Sequence, residues 1–159
     1  MTVDTVVSRQ IVKTELALAK PLVNTYGWVI EEDLEHLLFR VRLRSSADKE
    51  EYIMEFACDN YKEMPPFIEF IDPITNARGV PSAYPKNGNG FFHSTPCICA
   101  QFNRKAYQPY GGPHNDWAMQ NWEQLRPHFS YLGDMIHLVQ RQINNPNSYH
   151  GRMAPLKVS

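Results

Sequence analysis

Alternation of apolar and polar residues is the clearest pattern in the first half of the chain. Residues 37–44 alternate from Phe39 onward, with apolar side chains on one face and three arginines on the other. Residues 52–56 alternate again, residues 67–71 form a further apolar run, and residues 26–30 are short and aromatic. A period of two predicts an antiparallel meander of four strands with one buried face. The arginines are interpreted as a solvated strand face rather than a binding patch.

A helical period is strongest near the end of the chain, over residues 131–143. Apolar residues recur there at steps of three and four, which predicts a long amphipathic helix. Ser130 is a suitable N-cap, and residues 144–146 (Asn-Asn-Pro) end the pattern.

A second helical pattern covers residues 5–20 near the N-terminus. Asp4 is a suitable N-cap for it, and Pro21 limits its extent. One helix followed by a four-stranded meander and a long C-terminal helix predicts an α+β fold. We expect a single domain over residues 1–159, with a tail from about residue 148.

Two segments without an apolar period are rich in turn-forming residues. Residues 72–90 carry many Pro, Gly and Asn residues, and so long a loop is usually either functional or poorly ordered. Residues 107–117 contain Gly111, Gly112 and two prolines. This second loop is interpreted either as a tight turn or as a rim over the cysteine segment described next.

Two of the three cysteines, Cys97 and Cys99, lie one residue apart and shortly after His93. Free cysteine often packs as a small apolar side chain, but its thiolate is also a strong nucleophile. A zinc site built from these three residues and His114 is another interpretation. Its Cys-x-Cys spacing differs from the usual Cys-x-x-Cys of structural zinc sites.

Composition narrows the classes of partner and compartment. The formal net charge is −1, so no strong field favours nucleic acid or a membrane surface. No signal peptide or membrane-spanning apolar run is visible. Three cysteines do not make a disulfide framework, which predicts a cytoplasmic protein with free thiols and no cofactor.

The order of several motifs over residues 9–147 resembles the ubiquitin-conjugating enzyme family. The motifs are an Asp-Asn-Tyr turn that leads to paired prolines and a strand (residues 59–70), the pair Phe92-His93, the strand end Ile98-Cys99-Ala100-Gln101-Phe102, Trp122, the helix start Phe129-Ser130, and Asn145-Pro146-Asn147. The pattern is closer to divergent bacterial members of that family, which act beside activating-enzyme-like and metalloprotease-like proteins.

The resemblance implies a fold and an activity. Cys99 would accept a ubiquitin-like modifier as a thioester from an activating-enzyme-like protein and transfer it to an amine of a target protein. Cys97, two residues earlier on the same strand, is the second candidate nucleophile. A catalytically inactive binding scaffold and a Cys/His zinc-binding protein are the alternatives.

One departure from the family pattern concerns the group that would stabilise the oxyanion formed when the amine attacks the thioester. In the family an Asn follows the His-Pro pair near the cysteine, whereas here His93 is followed by Ser94 and Thr95. Stabilising the oxyanion requires a polar donor, for which Asn103, His93, His114 or a backbone N–H are candidates. Asp116 is the candidate that orients or deprotonates the attacking amine.

Overall fold

The computed structural model describes residues 4–115, 122–124, 127 and 131–157. Its helices and strands are α1 (Thr5–Leu18), α2 (Lys20–Tyr26), β1 (Val29–Asp33), β2 (Leu38–Arg44), β3 (Glu51–Ala57), β4 (Phe67–Ile71), β5 (Phe92–His93), β6 (Cys97–Ile98) and α3 (Leu132–Asn144). Short 3-10 turns occupy Leu34–His36, Pro81–Ala83, Arg104–Ala106 and Gln108–Tyr110. Strands β1 to β4 form one antiparallel sheet in chain order, and β5 and β6 form a separate hairpin. The predicted α+β arrangement of N-terminal helix, four-stranded antiparallel meander and C-terminal helix is therefore confirmed.

The inner face of the sheet carries the alternating apolar residues. Phe39 faces Phe56 across β2 and β3, with ring centroids 4.5 Å apart. Met135 and Val139 of α3 are fully buried in the same core, as the helical period predicts. Burial of apolar surface between the sheet and this helix is the main stabilising contribution here.

The outer face of the sheet is not simply solvated. Arg40 pairs with Glu55 at 2.9 Å, and Arg42 pairs with Glu51 at 3.0 Å across the neighbouring strand. Arg44 is exposed. Glu55 lies directly opposite Arg40, and Glu51 lies diagonally opposite Arg42. Cross-strand pairs of opposite charge stabilise the register of a sheet.

The N-terminal region differs from the prediction. The first helix ends at Leu18, and Pro21 lies in the first turn of α2 instead of ending a helix. The missing N–H of a proline costs nothing there, because first-turn N–H groups have no intrahelical acceptor. Tyr26 consequently ends α2, and the first strand begins at Val29 rather than at residue 26.

Helix α3 begins within one residue of the predicted position, but its cap is different. Ser130 lies outside the described residues, and the N-cap is Tyr131, whose side chain makes no capping hydrogen bond. A carboxylate from α1, that of Glu15, accepts the Leu132 N–H instead.

The expected tail from residue 148 is wrong. Tyr149 is 5% exposed, and its hydroxyl lies 2.8 Å from that of Tyr52 and donates to Asp48 at 2.7 Å. The guanidinium of Arg152 donates to the backbone oxygen of Glu51 at 2.6 Å. An aromatic ring and a buried cation therefore attach residues 149–152 to β3 and to the turn before it.

The 72–90 loop packs against the rest of the protein. The Asp72 carboxylate accepts hydrogen bonds from Ile74 N, Thr75 N and the Ser82 hydroxyl, and Tyr84 is fully buried. A Cβ at position 88 would overlap the backbone of residue 148, so glycine permits that close approach. Among the described residues, no helix has the length and apolar character needed to cross a membrane.

Candidate functional site

The β5–β6 hairpin fixes the position of the cysteine segment. Phe92 pairs with Ile98, and both side chains are buried in the core. Just beyond β6, the Cys99 N–H donates to Phe91 O at 2.6 Å. Two apolar anchors and a short backbone hydrogen bond thus hold the Cys99 thiol where the strand leaves the core.

Burial distinguishes the three cysteines. Cys58 is fully buried and Cys97 is 2% exposed, whereas Cys99 is partly accessible. Burial strongly raises the pKa of the Cys58 thiol, which makes it an unreactive core residue. Cys99 is consequently the most accessible of the three thiols.

Cys97 and Cys99 lie against the same small cluster. Cys97 packs with Ala106 and Tyr107, and the partly buried Cys99 packs against this group. Strand alternation predicts both sulfurs on one side, and their place in the same cluster agrees with it.

The surroundings of Cys99 favour its thiolate. A hydrogen bond with Cys97 is the largest influence lowering the pKa of Cys99, to about 6, and partial burial opposes it. A hydrogen bond from His114 and the positive potential of His114 and His93 lower the pKa further. The pair loses its first proton from Cys99, and Cys97 keeps its proton because that hydrogen bond and burial raise its pKa.

Residues 107–115, here called the histidine loop, bring His114 to Cys99. The His114 N–H donates to Ala106 O at 2.9 Å, and its carbonyl accepts from Gln108 N at 2.7 Å. A Cβ at Gly112 would overlap the backbone of residues 105 and 106, so only glycine permits this return of the chain. The described part of the loop is therefore a tight turn held by backbone hydrogen bonds, and His114 within it acts on the pKa of Cys99.

Tyr107 supports the same loop and was not among the residues predicted from sequence. Its hydroxyl donates to Gln101 O at 3.2 Å, and its ring centroid lies 6.1 Å from that of His114. An aromatic residue four positions before the glycine pair was the available signal, but only the folded loop shows which residues it touches.

His93 lies at the turn of the hairpin. Its Nδ1 accepts the Thr95 N–H at 3.1 Å and also lies 3.1 Å from the Thr95 hydroxyl. Because Nδ1 is an acceptor, the proton of the neutral ring is on Nε2. His93 is partly exposed, and its protonated form favours the Cys99 thiolate.

Asn103 does not fit the predicted oxyanion role. Its side-chain NH₂ donates to Ile68 O at 3.0 Å and to Ile98 O at 2.9 Å, and its oxygen accepts from Ile68 N and Lys105 N. The residue is fully buried. Both N–H groups are occupied, so Asn103 joins β4 to β6 and has no donor left for an oxyanion.

Two further expectations concern residues around this site. Asp116 lies outside the described residues, so its predicted role stays a prediction. Among the residues that the structure describes, no three His, Cys, Asp or Glu side chains are grouped closely enough to hold a metal ion. Cys97, Cys99, His93 and His114 thus do not form the ligand set that the zinc alternative requires.

Trp122 joins the segment after the histidine loop to the core. It is 2% exposed, and its indole N–H donates to Lys62 O at 2.9 Å. Arg104, at the start of the 3-10 turn beside Cys99, is also buried and pairs with Asp59 at 2.6 Å. Both contacts are made to the turn that precedes β4, which thus holds the segments on either side of the histidine loop.

No protein-family model matches the chain, and the search of curated proteins found no match.

Proposed function

We propose that this chain is a cytoplasmic ubiquitin-conjugating-like enzyme, similar to the divergent bacterial members of that family. It carries a ubiquitin-like modifier as a thioester on Cys99 and transfers it to an amine of a target protein. The observation that supports this proposal best is the partly exposed Cys99 thiol, held at a hairpin end with its pKa lowered to about 6 by its polar neighbours. The order of helix, four-stranded meander, cysteine hairpin and C-terminal helix agrees with the motif order.

The first step is a thioester exchange. The Cys99 thiolate attacks the carbonyl carbon of the modifier's C-terminal thioester on the activating-enzyme-like protein. A new carbon–sulfur bond forms, the old one breaks, and the other enzyme's thiolate leaves with the electron pair. A thiolate that is populated at neutral pH can attack without a general base.

The second step forms an amide. A lysine amine attacks the thioester carbonyl, the carbon–sulfur bond breaks, and Cys99 leaves as a thiolate. His114 accepts the proton that the amine loses, since an imidazole that donates one ring N–H to sulfur keeps its second nitrogen as an acceptor. The Nε2–H group of His93 is the donor available to the oxyanion in place of Asn103.

One observation favours a second candidate, the catalytically inactive scaffold. All the N–H groups of Asn103 are used in structural hydrogen bonds, so this residue gives the thiol no amide donor. A scaffold would bind the modifier or the activating-enzyme-like protein through the same surface without forming a covalent adduct.

The test is formation of a thiol-sensitive adduct on Cys99. The full chain is incubated with ATP and an extract of its source cells, and separated on gels with and without reductant. We expect an adduct that is lost on reduction and abolished, or converted to a reductant-resistant oxyester, by Cys99→Ser. Cys97→Ser is the matched control and should keep the adduct.

A second arm removes the dependence on an unknown modifier. A peptide that ends in Gly-Gly as an alkyl thioester supplies the acyl group directly, and intact mass reports its transfer to Cys99 and then to free lysine. Adduct formation by Cys99→Ser but not by Cys97→Ser would move the nucleophile to Cys97. Absence of any acyl transfer in both arms would overturn the enzyme proposal and leave the scaffold.

A further inference from the structure

Tyr107 lies between the cysteine segment and the end of the histidine loop. Its side chain packs with Cys97 and Ala106, and the partly buried Cys99 packs against the same cluster. The Tyr107 ring also faces the ring of His114, with centroids 6.1 Å apart and planes tilted by 52°. One aromatic ring therefore contacts both the cysteine cluster and the histidine that the proposed mechanism uses.

Hydrogen bonds attach Tyr107 to both of these segments. Its hydroxyl donates to Gln101 O at 3.2 Å, two residues after Cys99. Its backbone oxygen accepts from Gly112 N at 2.9 Å, and residues 107 and 114 form an isolated parallel β-bridge. The first contact ties the ring to the chain that leaves β6, and the other two tie the returning loop to the same residue.

We propose that Tyr107 is a positioning residue, which holds the His114 imidazole beside Cys99 through both steps of the reaction. This inference rests on the proposed function, since it assigns Tyr107 a part in the same site. Tyr107 is 8% exposed, so it acts through His114 and not on the modifier or the amine.

The exposure of His114 explains why such a residue is needed. His114 is exposed, and an exposed side chain changes rotamer readily unless a fixed neighbour favours one of its positions. Tilted aromatic pairs at this centroid distance are stabilising beyond the area that they bury. The buried and hydrogen-bonded ring of Tyr107 is such a neighbour, because its own position is fixed at Gln101 and at the cysteine cluster.

Displacement of His114 would act on two measurable properties of the site. The imidazole accepts a proton in the amide-forming step, and a displacement of about 1 Å can slow such a step by up to about 100-fold. His114 also lowers the pKa of Cys99, so its departure makes the thiol less acidic. A residue that only fills space in the cysteine cluster would affect neither property through His114.

The experiment is a pH profile of Cys99 alkylation by iodoacetamide in the full chain, with the modified cysteine identified by peptide mass. We expect the midpoint to rise by about half to one pH unit in Tyr107→Leu, which has no ring. Tyr107→Phe keeps the ring and should restore more than half of the difference. Tyr107→Leu should add little to His114→Ala, because the group that Tyr107 positions is already absent.

Gln108→Leu is the matched control, since it makes the same replacement at the exposed residue that follows, and it should titrate like the natural chain. Cys58 reports folding in every variant, because its thiol is fully buried and stays unmodified in a folded chain. If Cys58 reacts in Tyr107→Leu, Tyr107→Met takes its place, since methionine fills more of the space without a ring.

Three results would each overturn the inference. They are a natural profile in the folded variant without a ring, an equal rise in Tyr107→Phe, and an equal rise with and without His114. The last of these would leave Tyr107 as a packing residue of the cysteine cluster.

The proposed function can fail separately, because alkylation needs no modifier. A Cys99 profile that responds to Tyr107 through His114, without any acyl transfer to Cys99, would reject only the enzyme. Where the thioester does form, its discharge to lysine should slow about 10-fold in Tyr107→Leu, with little change in thioester formation at pH 8.5. Acyl transfer with an unchanged profile would reject only the role of Tyr107.

Discussion

The Glu15 carboxylate of α1 accepts a hydrogen bond from the backbone N–H of Leu132, the first residue of α3, at 2.8 Å. The same oxygen accepts from the Tyr61 hydroxyl at 2.8 Å, and the other oxygen pairs with Lys62 at 3.1 Å. Glu15 is 6% exposed. One buried carboxylate thus joins both ends of the described chain to the turn before β4, and its negative charge lies at the positive end of a helix.

Replacing Glu15 with Ala should reduce the free energy of unfolding by about 2–4 kcal/mol, because a buried hydroxyl and an orphan helix N–H lose their acceptor. Urea denaturation at pH 7 measures the loss. Glu15→Gln is the matched control: it keeps an oxygen for Leu132 and should lose less. Equal stability of Glu15→Ala and the natural chain would show that this carboxylate does not cap α3.

Truncation of Met135 tests the sheet–helix core. Met135→Ala should destabilise the protein by about 2–5 kcal/mol through lost burial and a residual cavity. The exposed Arg141 on the same helix is the control, and Arg141→Ala should stay within about 0.5 kcal/mol. Thermal unfolding of both variants gives the comparison, and similar melting temperatures for the two would contradict the packing described.

The His114 side chain should matter more for transfer of the modifier to an amine than for formation of the Cys99 thioester. His114→Ala removes the proton acceptor, so single-turnover discharge of the Cys99 thioester to lysine should slow by about 10–100-fold. The rate of thioester formation on Cys99, measured at pH 8.5 where even an unassisted thiol is substantially ionised, should change little. Gln108→Ala, an exposed change in the same loop, is the control. Unchanged discharge kinetics would remove His114 from the mechanism.

Gly112 tests whether the path of the histidine loop sets the acidity of Cys99. Because a Cβ at Gly112 overlaps the backbone of residues 105 and 106, Gly112→Ala should displace His114. The pH midpoint of Cys99 alkylation by iodoacetamide should then move towards that of an ordinary thiol. Gly111→Asn is the control, since Gly111 has φ +89° with open space around its Cα, and Asn tolerates positive φ. If both variants titrate like the natural chain, the loop has no part in tuning Cys99.

Asp72 gives the 72–90 loop a defined sensitivity to acid. Burial acts to raise the pKa of this carboxyl, but hydrogen bonds from the Ser82 hydroxyl and from Thr75 and Ile74 N–H outweigh it and hold the pKa below its usual range. A lowered folded pKa stabilises the protein above the unfolded pKa of about 3.9, and this stability is lost as the pH falls through the folded value.

The stability difference between the natural chain and Asp72→Asn should therefore be largest near pH 6 and shrink below pH 4. Urea denaturation at a series of pH values measures it. Titration of the other carboxyls is common to both proteins and cancels in the difference. A difference that is constant from pH 6 to pH 3 would show that the Asp72 charge is not stabilised by these hydrogen bonds.

Local patterns predicted the parts of this fold that local forces determine. Alternation located β2 and β3, and the helical period located α3, because one face of each is buried in a single core. The pattern could not show that Pro21 begins α2, since proline is compatible with either end of a helical segment. The capping by Glu15 joins residues 117 positions apart and has no local signature.

The candidate site was partly predictable for the same reason. Cys97, Cys99 and His93 are close in sequence, so their proximity follows from the hairpin. The hydrogen bonds of Asn103 to β4 join it to a strand 35 residues earlier in the chain, and only the folded structure shows them. The attachment of Tyr149 and Arg152 was missed because nothing in their local pattern distinguishes a packed segment from a tail.

That attachment has a consequence for how the protein folds during synthesis. The Arg152 guanidinium meets the backbone of Glu51 across 101 positions, and Tyr149 meets Tyr52 across 97. During synthesis, β3 therefore lacks these packing contacts until the side chains about a hundred residues later have been made. We therefore expect the sheet to reach its full stability only after residue 152 has emerged, because these contacts are non-local.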